Sequence, residues 1–504
     1  MKNGKSLQES INQIMQYAVI VIMMITALIF SKIYIDILVF DLYLKSPVFI
    51  AAKIALLVLT LLFYVLIYLL LTRCSVFIEK HARIILLCFV LFLAILQLVL
   101  GYRLQITPQY DFSAVYHGAL EWLVTGTFRS FYEYYYYYPN NFGEMIVLLF
   151  WFFCASRIGV QDFYFAGMVL NVLLCSVMVI CVYLIIEALL GRKDAVFGLC
   201  IMALCPPLYI MAPVYYTDQL TMAFIPVIIW LSLLLYRTKK RWLQEGLILL
   251  LTLIAFVGYD MKPTVFISVI AVLLFYLMKQ RWKLFLLLTL HIVVFFFTFL
   301  NLQNAYIYSR HLEPAIAKEL NSPIELWVYM GLNENVGFSW DDTLYAREFT
   351  DPDERKEAIR EGIADRIREY GFAGMMKHLK AKSIFVYSDG TFELSYTFLF
   401  GFLKENPFED YITTNGSHYE AWWQFCTFPW YTTLLLFVSG ALAVVFDEKS
   451  RKLFPVFLAL FGLYLFLMLW EVHPRYIVNY YAAFVIAAVC GMRFLTNLRM
   501  HKRG

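Results

Sequence analysis

Long apolar runs broken by short polar connections dominate the chain. Runs of about twenty residues, enough for a helix to cross a ~30 Å hydrocarbon layer, fall at roughly 14–36, 48–72, 84–104, 162–190, 194–212, 218–236, 242–258, 263–278, 284–304, 429–446, 453–470 and 475–495. The pattern predicts an all-α polytopic membrane protein of about 12 transmembrane helices. Two stretches interrupt it. Residues 105–161 hold an amphipathic pattern from Asp111 to Val124, a tyrosine tract, and an apolar run from Asn141 to Cys154. Residues 305–428 are the one extended polar stretch, where Asp351-Pro352 reads as an N-cap with proline at the first helical position, opening a charged helix to about Tyr370. The expected organisation is a transmembrane domain over 1–304 with a first outer loop at 105–161, a helical extracytoplasmic loop at 305–428, and C-terminal transmembrane helices over 429–504.

Composition agrees with this class, since 62% hydrophobic and 15% charged residues cannot make a soluble globule, whose charged share is nearer ~25%. Lysine and arginine orient the chain. One set of connections carries Lys2/Lys5, Arg73/Lys80/Arg83, Arg192/Lys193, Arg237/Lys239/Lys240/Arg241, Lys279/Arg281/Lys283, Lys449/Arg451/Lys452 and Arg499/Lys502/Arg503. The alternate set, the long loop aside, has only Lys45, Arg103, Arg129, Arg157, Lys262 and Arg475, so both termini are expected in the cytoplasm of a multi-pass cell (plasma) membrane protein. Were 141–154 to span, every later loop would invert, so it is expected to lie along the outer leaflet. The first span is too long for a signal-peptide core and lacks a small-x-small cleavage site. Basic residues are dispersed over many loops, which argues against a nucleic-acid partner; membrane lipids are the expected surroundings. Eight of nine cysteines lie in apolar or juxtamembrane segments, only Cys426 falls in the long loop, and no metal-binding spacing appears.

Candidate chemistry gathers at the outer ends of the spans. Asp111, preceded by Tyr110 in QYDF, is either a general base with proton affinity raised by apolar walls or the N-cap of a helix starting at Phe112. Asp218 in YYTD has the same two readings. Lys262 in MKPT is either a lysine snorkelling to lipid phosphate or a point charge for a bound phosphate. Glu471, His473 and Arg475 crowd a short turn, where an arginine fork suits phosphate oxygens and the histidine adds a donor. In FYEYYYYYPNN most rings read as an interfacial belt, while Asn140 and Asn141 offer amides to sugar hydroxyls or cap the helix at Phe142. His418 and Glu420 beside Trp422-Trp423 fit a carbohydrate site or an interfacial anchor.

In this order, QYDF, YPNNFGEM, YYTD, MKPT and HPRY resemble the GT-C superfamily of membrane glycosyltransferases, in the bacterial branch related to protein O-mannosyltransferase and aminoarabinose transferase. The resemblance covers the chain from about Ile84 and implies a GT-C-like bundle that moves a sugar from a polyprenyl-phosphate donor to an envelope glycan or glycolipid acceptor. It implies Asp111 as catalytic base, Lys262 and Arg475 at the donor phosphate, and Asp218 orienting the acceptor or sugar. Asp111-Phe112 stands where the mannosyltransferases have an acidic pair, and two extra spans precede it, so the substrate is left open.

Such a transfer needs a base at the acceptor hydroxyl and fixed positive charge at the departing phosphate, which is a good leaving group without a protonating acid. In-line attack would invert the anomeric centre. No cofactor is expected; a divalent cation held by Asp111 and Asp218, used by several members of the superfamily, is the alternative. The competing readings are an outer-face polysaccharide polymerase or ligase, relying on loop arginines, and a lipid-linked sugar flippase or transporter, which would place ionisable or helix-breaking residues near the midplane.

Overall fold

The structure, a computed structural model, describes residues 7–43 and 47–501. All the regular elements among these residues are helical; Ile106 and Phe402 form an isolated antiparallel bridge. The principal helices are α1 (Leu7–Tyr43), α2 (Pro47–Arg73), α3 (Ser75–Arg103), α4 (Tyr110–Thr125), α5 (Phe142–Arg157), α6 (Phe163–Leu189), α7 (Arg192–Ala203), α8 (Phe224–Arg237), α9 (Arg241–Met261), α10 (Phe266–Met278), α11 (Trp282–Arg310), α12 (Pro352–Tyr387), α13 (Tyr419–Phe446), α14 (Phe454–Leu469) and α15 (Tyr481–His501). Ten helical segments among the described residues are long and apolar enough to cross a membrane, and Pro263–Met278 is a shorter apolar helix. The chain is an all-α polytopic membrane protein.

The expected span at 194–212 does not form. Helix α7 ends at Ala203, because Pro206 and Pro207 lack the amide hydrogens a continuing helix needs. The freed carbonyls are satisfied from neighbouring helices: Asn171 Nδ2 donates to Met211, Ala212 and Val214 oxygens at 3.1, 3.2 and 3.2 Å, and Gln97 Nε2 to that of Leu208 at 2.6 Å. Irregular backbone inside an apolar bundle requires such partners. This break delivers YYTD to the polar end of the bundle.

Helices α13 and α15 form the centre, with 78% and 89% of their apolar windows buried, whereas α2, α3 and α11, at 11%, 17% and 17%, face outward. Helix α13 begins at Tyr419, earlier than the expected 429, so Cys426 and Trp422-Trp423 lie in a helix and not in a loop. As predicted, the Asp351 side chain caps α12, accepting from the Asp353 and Glu354 amides at 2.9 and 3.0 Å. That helix then continues past a kink at Gly371 to Tyr387. Backbone bonds from Leu403 to Gln105 (2.8 Å) and Thr107 to Gly401 (3.1 Å) fasten the Asp111 loop to the loop that follows α12.

Candidate functional site

Asp218, Lys262 and Arg475 meet in one buried cluster. The short helix Thr217–Leu220 carries Asp218, which is fully buried, and one of its oxygens takes a hydrogen bond from Lys262 Nζ. Arg475 Nε stands 3.5 Å from the other oxygen, an ion pair without hydrogen-bond alignment. Asp218 is therefore no helix cap, and Lys262, only 9% exposed with Nζ 4.5 Å over the Tyr476 ring, does not snorkel to lipid. The pairing follows from local packing: Asn479 Nδ2 donates to Thr264 Oγ1 at 3.1 Å and Tyr480 OH to the Thr264 carbonyl at 2.8 Å, which holds MKPT against HPRY.

A carboxylate overlooked in the sequence completes this side. Glu393 accepts from His473 Nδ1 at 2.9 Å and from Arg475 Nη1 at 3.3 Å. Burial opposes its ionisation, but Arg475 and His473 prevail and hold the carboxyl below the usual glutamate range. It sits on a strained turn, with Phe392 and Glu393 at φ 53° and 64°, which Asp389 fixes by accepting from the Thr391 and Glu393 amides at 2.8 and 2.7 Å. Tyr110 (φ 49°) and Val336 (φ 59°) are also left-handed and adjoin Asp111 and the 471–476 turn, through a Val472 to Val336 backbone bond of 3.1 Å. His473 Nε2 lies 3.7 Å from Glu471, which accepts in turn from Tyr476 OH.

Asp111 borders the same cluster. Its two oxygens accept from Tyr134 OH at 2.8 Å and Tyr216 OH at 3.2 Å, and Gln109 occupies the N-cap position of α4, so the carboxylate orients on phenols and caps nothing. Burial and the Asp111 charge both hold these phenols protonated far above the usual tyrosine range. Tyr216 also feels Arg475, so the two ends share one electrostatic environment. Tyr134 is thus no belt ring. Asn141 is buried and donates to Tyr134 OH without capping α5, whereas Asn140 is exposed and donates to Asn141 at 3.2 Å. Tyr110 is 77% exposed, with its ring against Phe400, and does not enter the buried cluster.

Glu144, on the first turn of α5, is wholly buried and feels Asp218, Lys262 and Asp111. Neither of its carboxyl oxygens has a hydrogen-bond partner of normal geometry. Burial first, and then the Asp218 charge, raise its proton affinity far above the usual range. Gly143 lets it sit there, because a Cβ at that position would lie 2.1 Å from the Asp260 carbonyl oxygen, two residues before Lys262. An acid inside an otherwise apolar run is itself a sequence signal for Glu144, and an Asp-Gly turn at Asp389-Gly390 is one for Glu393. Nothing comparable singles out Tyr134 from its tract.

Asp111 and Asp218 do not make a cation site in this arrangement: the oxygens of one face phenols, and those of the other face Lys262 and Arg475. Both fixed cations of the cluster are already matched by carboxylates. His418 and Trp422-Trp423 gather instead at the start of α13, where His418 stacks on Tyr411 and Lys53 approaches Trp423 and Glu420.

The model of a family described as conserved hypothetical integral membrane protein matches residues 5–493 of the chain. No curated protein and no solved structure matches it.

Proposed function

The chain belongs to that family of integral membrane proteins, and we propose that it is an inverting membrane glycosyltransferase. It takes a sugar from a polyprenyl-phosphate donor and passes it to an envelope glycan or glycolipid on the extracytoplasmic face of the cell membrane. One observation carries this reading: Asp111, half-buried and held by two phenols, borders the cluster of Lys262 and Arg475 through Tyr216, although the three come from distant parts of the chain. A base with both oxygens fixed and cations within the same enclosure are what glycosyl transfer from a phosphate needs. Asp111 takes the proton of the acceptor hydroxyl as it attacks the anomeric carbon, and the bond to the phosphate oxygen breaks on the opposite face. Lys262 and Arg475 turn from their carboxylates toward the donor phosphate, with Asp218 and Glu393 holding them in reach. An outer-face polymerase acting on a pyrophosphate is less well served, since Arg475 is bound by two acids.

Asp111→Asn is expected to abolish release of polyprenyl phosphate from purified polyprenyl-phosphate hexoses and pentoses screened as donors, with fold and donor binding intact. Undiminished turnover by that variant overturns the role of Asp111. A donor screen with no release by the wild type overturns the reaction class.

A further inference from the structure

The cluster has more acids than cations, and one acid, Glu144, has no hydrogen-bond partner of normal geometry. Lys262 and Arg475 face Asp218 and Glu393, while Asp111 and Glu471 bear on phenols and on His473. A phosphate diester that leaves as a monoester gains negative charge in this enclosure, where Lys262 and Arg475 are each already paired with a carboxylate. A proton supplied to the leaving oxygen removes that difficulty. Glu144 is the one carboxyl of the cluster that is fully buried with neither oxygen in a hydrogen bond of normal geometry, and it feels Lys262, the residue read above as a phosphate ligand, and the Thr217 amide. An ionised carboxylate in such a place would be strongly unfavourable, whereas a neutral acid is tolerable and carries a transferable proton.

Resting on the glycosyl-transfer reading, we propose that Glu144 stands as a neutral carboxylic acid and protonates the departing polyprenyl phosphate. As the anomeric C–O bond breaks, its electron pair goes to the phosphate oxygen, which takes the Glu144 proton. The acceptor hydroxyl forms the new C–O bond and gives its proton to Asp111. Transfer of that proton from Asp111 to the Glu144 carboxylate after product release restores the resting state, so the net change is one hydroxyl proton moved from acceptor to phosphate. The groups facing Glu144 are Asp111 from α4, Tyr135 from the tract, Tyr216 with the Thr217 amide and Asp218 from the Thr217–Leu220 helix and its N-cap, and Lys262 from the end of α9, where the Asp260 backbone and carboxyl pack on the neighbouring Gly143. Among them Lys262 alone favours the ionised form by its charge, and Asp218 and Asp111 oppose it.

The test joins a spectroscopic measurement to a kinetic one on the full-length protein in lipid nanodiscs. Infrared spectra at neutral pH should contain the carbonyl stretch of a protonated carboxylic acid, which moves on labelling glutamate with ¹³C at the carboxyl and disappears in Glu144→Gln. With a polyprenyl-phosphate sugar as donor, Glu144→Gln should lower kcat about 100-fold with little change in donor KM. The wild-type rate should fall as pH rises and Glu144 loses its proton, and the variant should lack this limb. Absence of a labelled protonated-glutamate band in the wild type overturns the proposal whether or not the variant folds. A band that vanishes in a folded Glu144→Gln of undiminished kcat also overturns it. A wild type that keeps the band but releases no polyprenyl phosphate from any donor refutes the transfer reading, and the donation step with it.

Discussion

Lys262 and Arg475 bind opposite oxygens of one buried carboxylate, that of Asp218. Removing one partner of a buried ion pair leaves an uncompensated charge, at a cost of about 3–5 kcal/mol. Asp218→Asn leaves Lys262 without a carboxylate and Arg475 with Glu393 alone, so it should lower the thermal unfolding temperature in detergent more than Lys262→Met does, after which Asp218 still faces Arg475. Because the groups are in contact, the double variant should be clearly less destabilised than the sum of the singles. Additive losses would show that the pair contributes nothing as a pair.

Tyr134 and Tyr216 make a sharper test of Asp111. Each phenol donates one hydrogen bond to the carboxylate and is held protonated by its surroundings. Replacing either by phenylalanine removes a hydrogen bond to a charged group, worth about 1.5–3 kcal/mol. If Asp111 is the base, each variant should reduce kcat by roughly tenfold or more through misorientation, with donor KM nearly constant. Steady-state assays over a range of donor concentrations separate the two parameters; a change confined to KM would move these tyrosines from the base to the donor.

The helical class, the Asp351 cap and the short helices around 111–124 and 142–157 were legible because periodicity and capping chemistry are local. The fate of 194–212 was not, since its apolar composition suits a span and only the two prolines, together with amide donors on Asn171 and Gln97, convert it to a broken segment. Asp218 and Lys262 read locally as a cap and a snorkelling lysine. Their true partners lie far along the chain, and partner identity at a distance is not written in a local pattern. Glu393 escaped for the same reason, while Glu144 lay in plain view within a run judged only by its hydropathy.

Lys382 gives a prediction that needs no substrate. It is fully buried on α12, and Nζ donates to the carbonyls of Gly331, Met468 and Trp470 at 2.9, 3.0 and 2.6 Å, which pins the approach to the 471–476 turn. Gly331 must be glycine here, for a Cβ would stand 2.6 Å from the Trp470 backbone. Burial pushes the lysine down to about 8 from an ordinary 10.5, with Glu471 only partly opposing. Between these values the unfolded chain binds more protons than the folded one, so this group makes stability rise with pH across that window. Below about 8 both states hold the proton, and the penalty for a buried charge is fully present. Thermal unfolding measured at intervals from neutral pH to about 9.5, short of the ordinary tyrosine range, should show a rising contribution in the wild type relative to Lys382→Met. Parallel curves for the two proteins would mean that the ammonium is not held out of water by this contact.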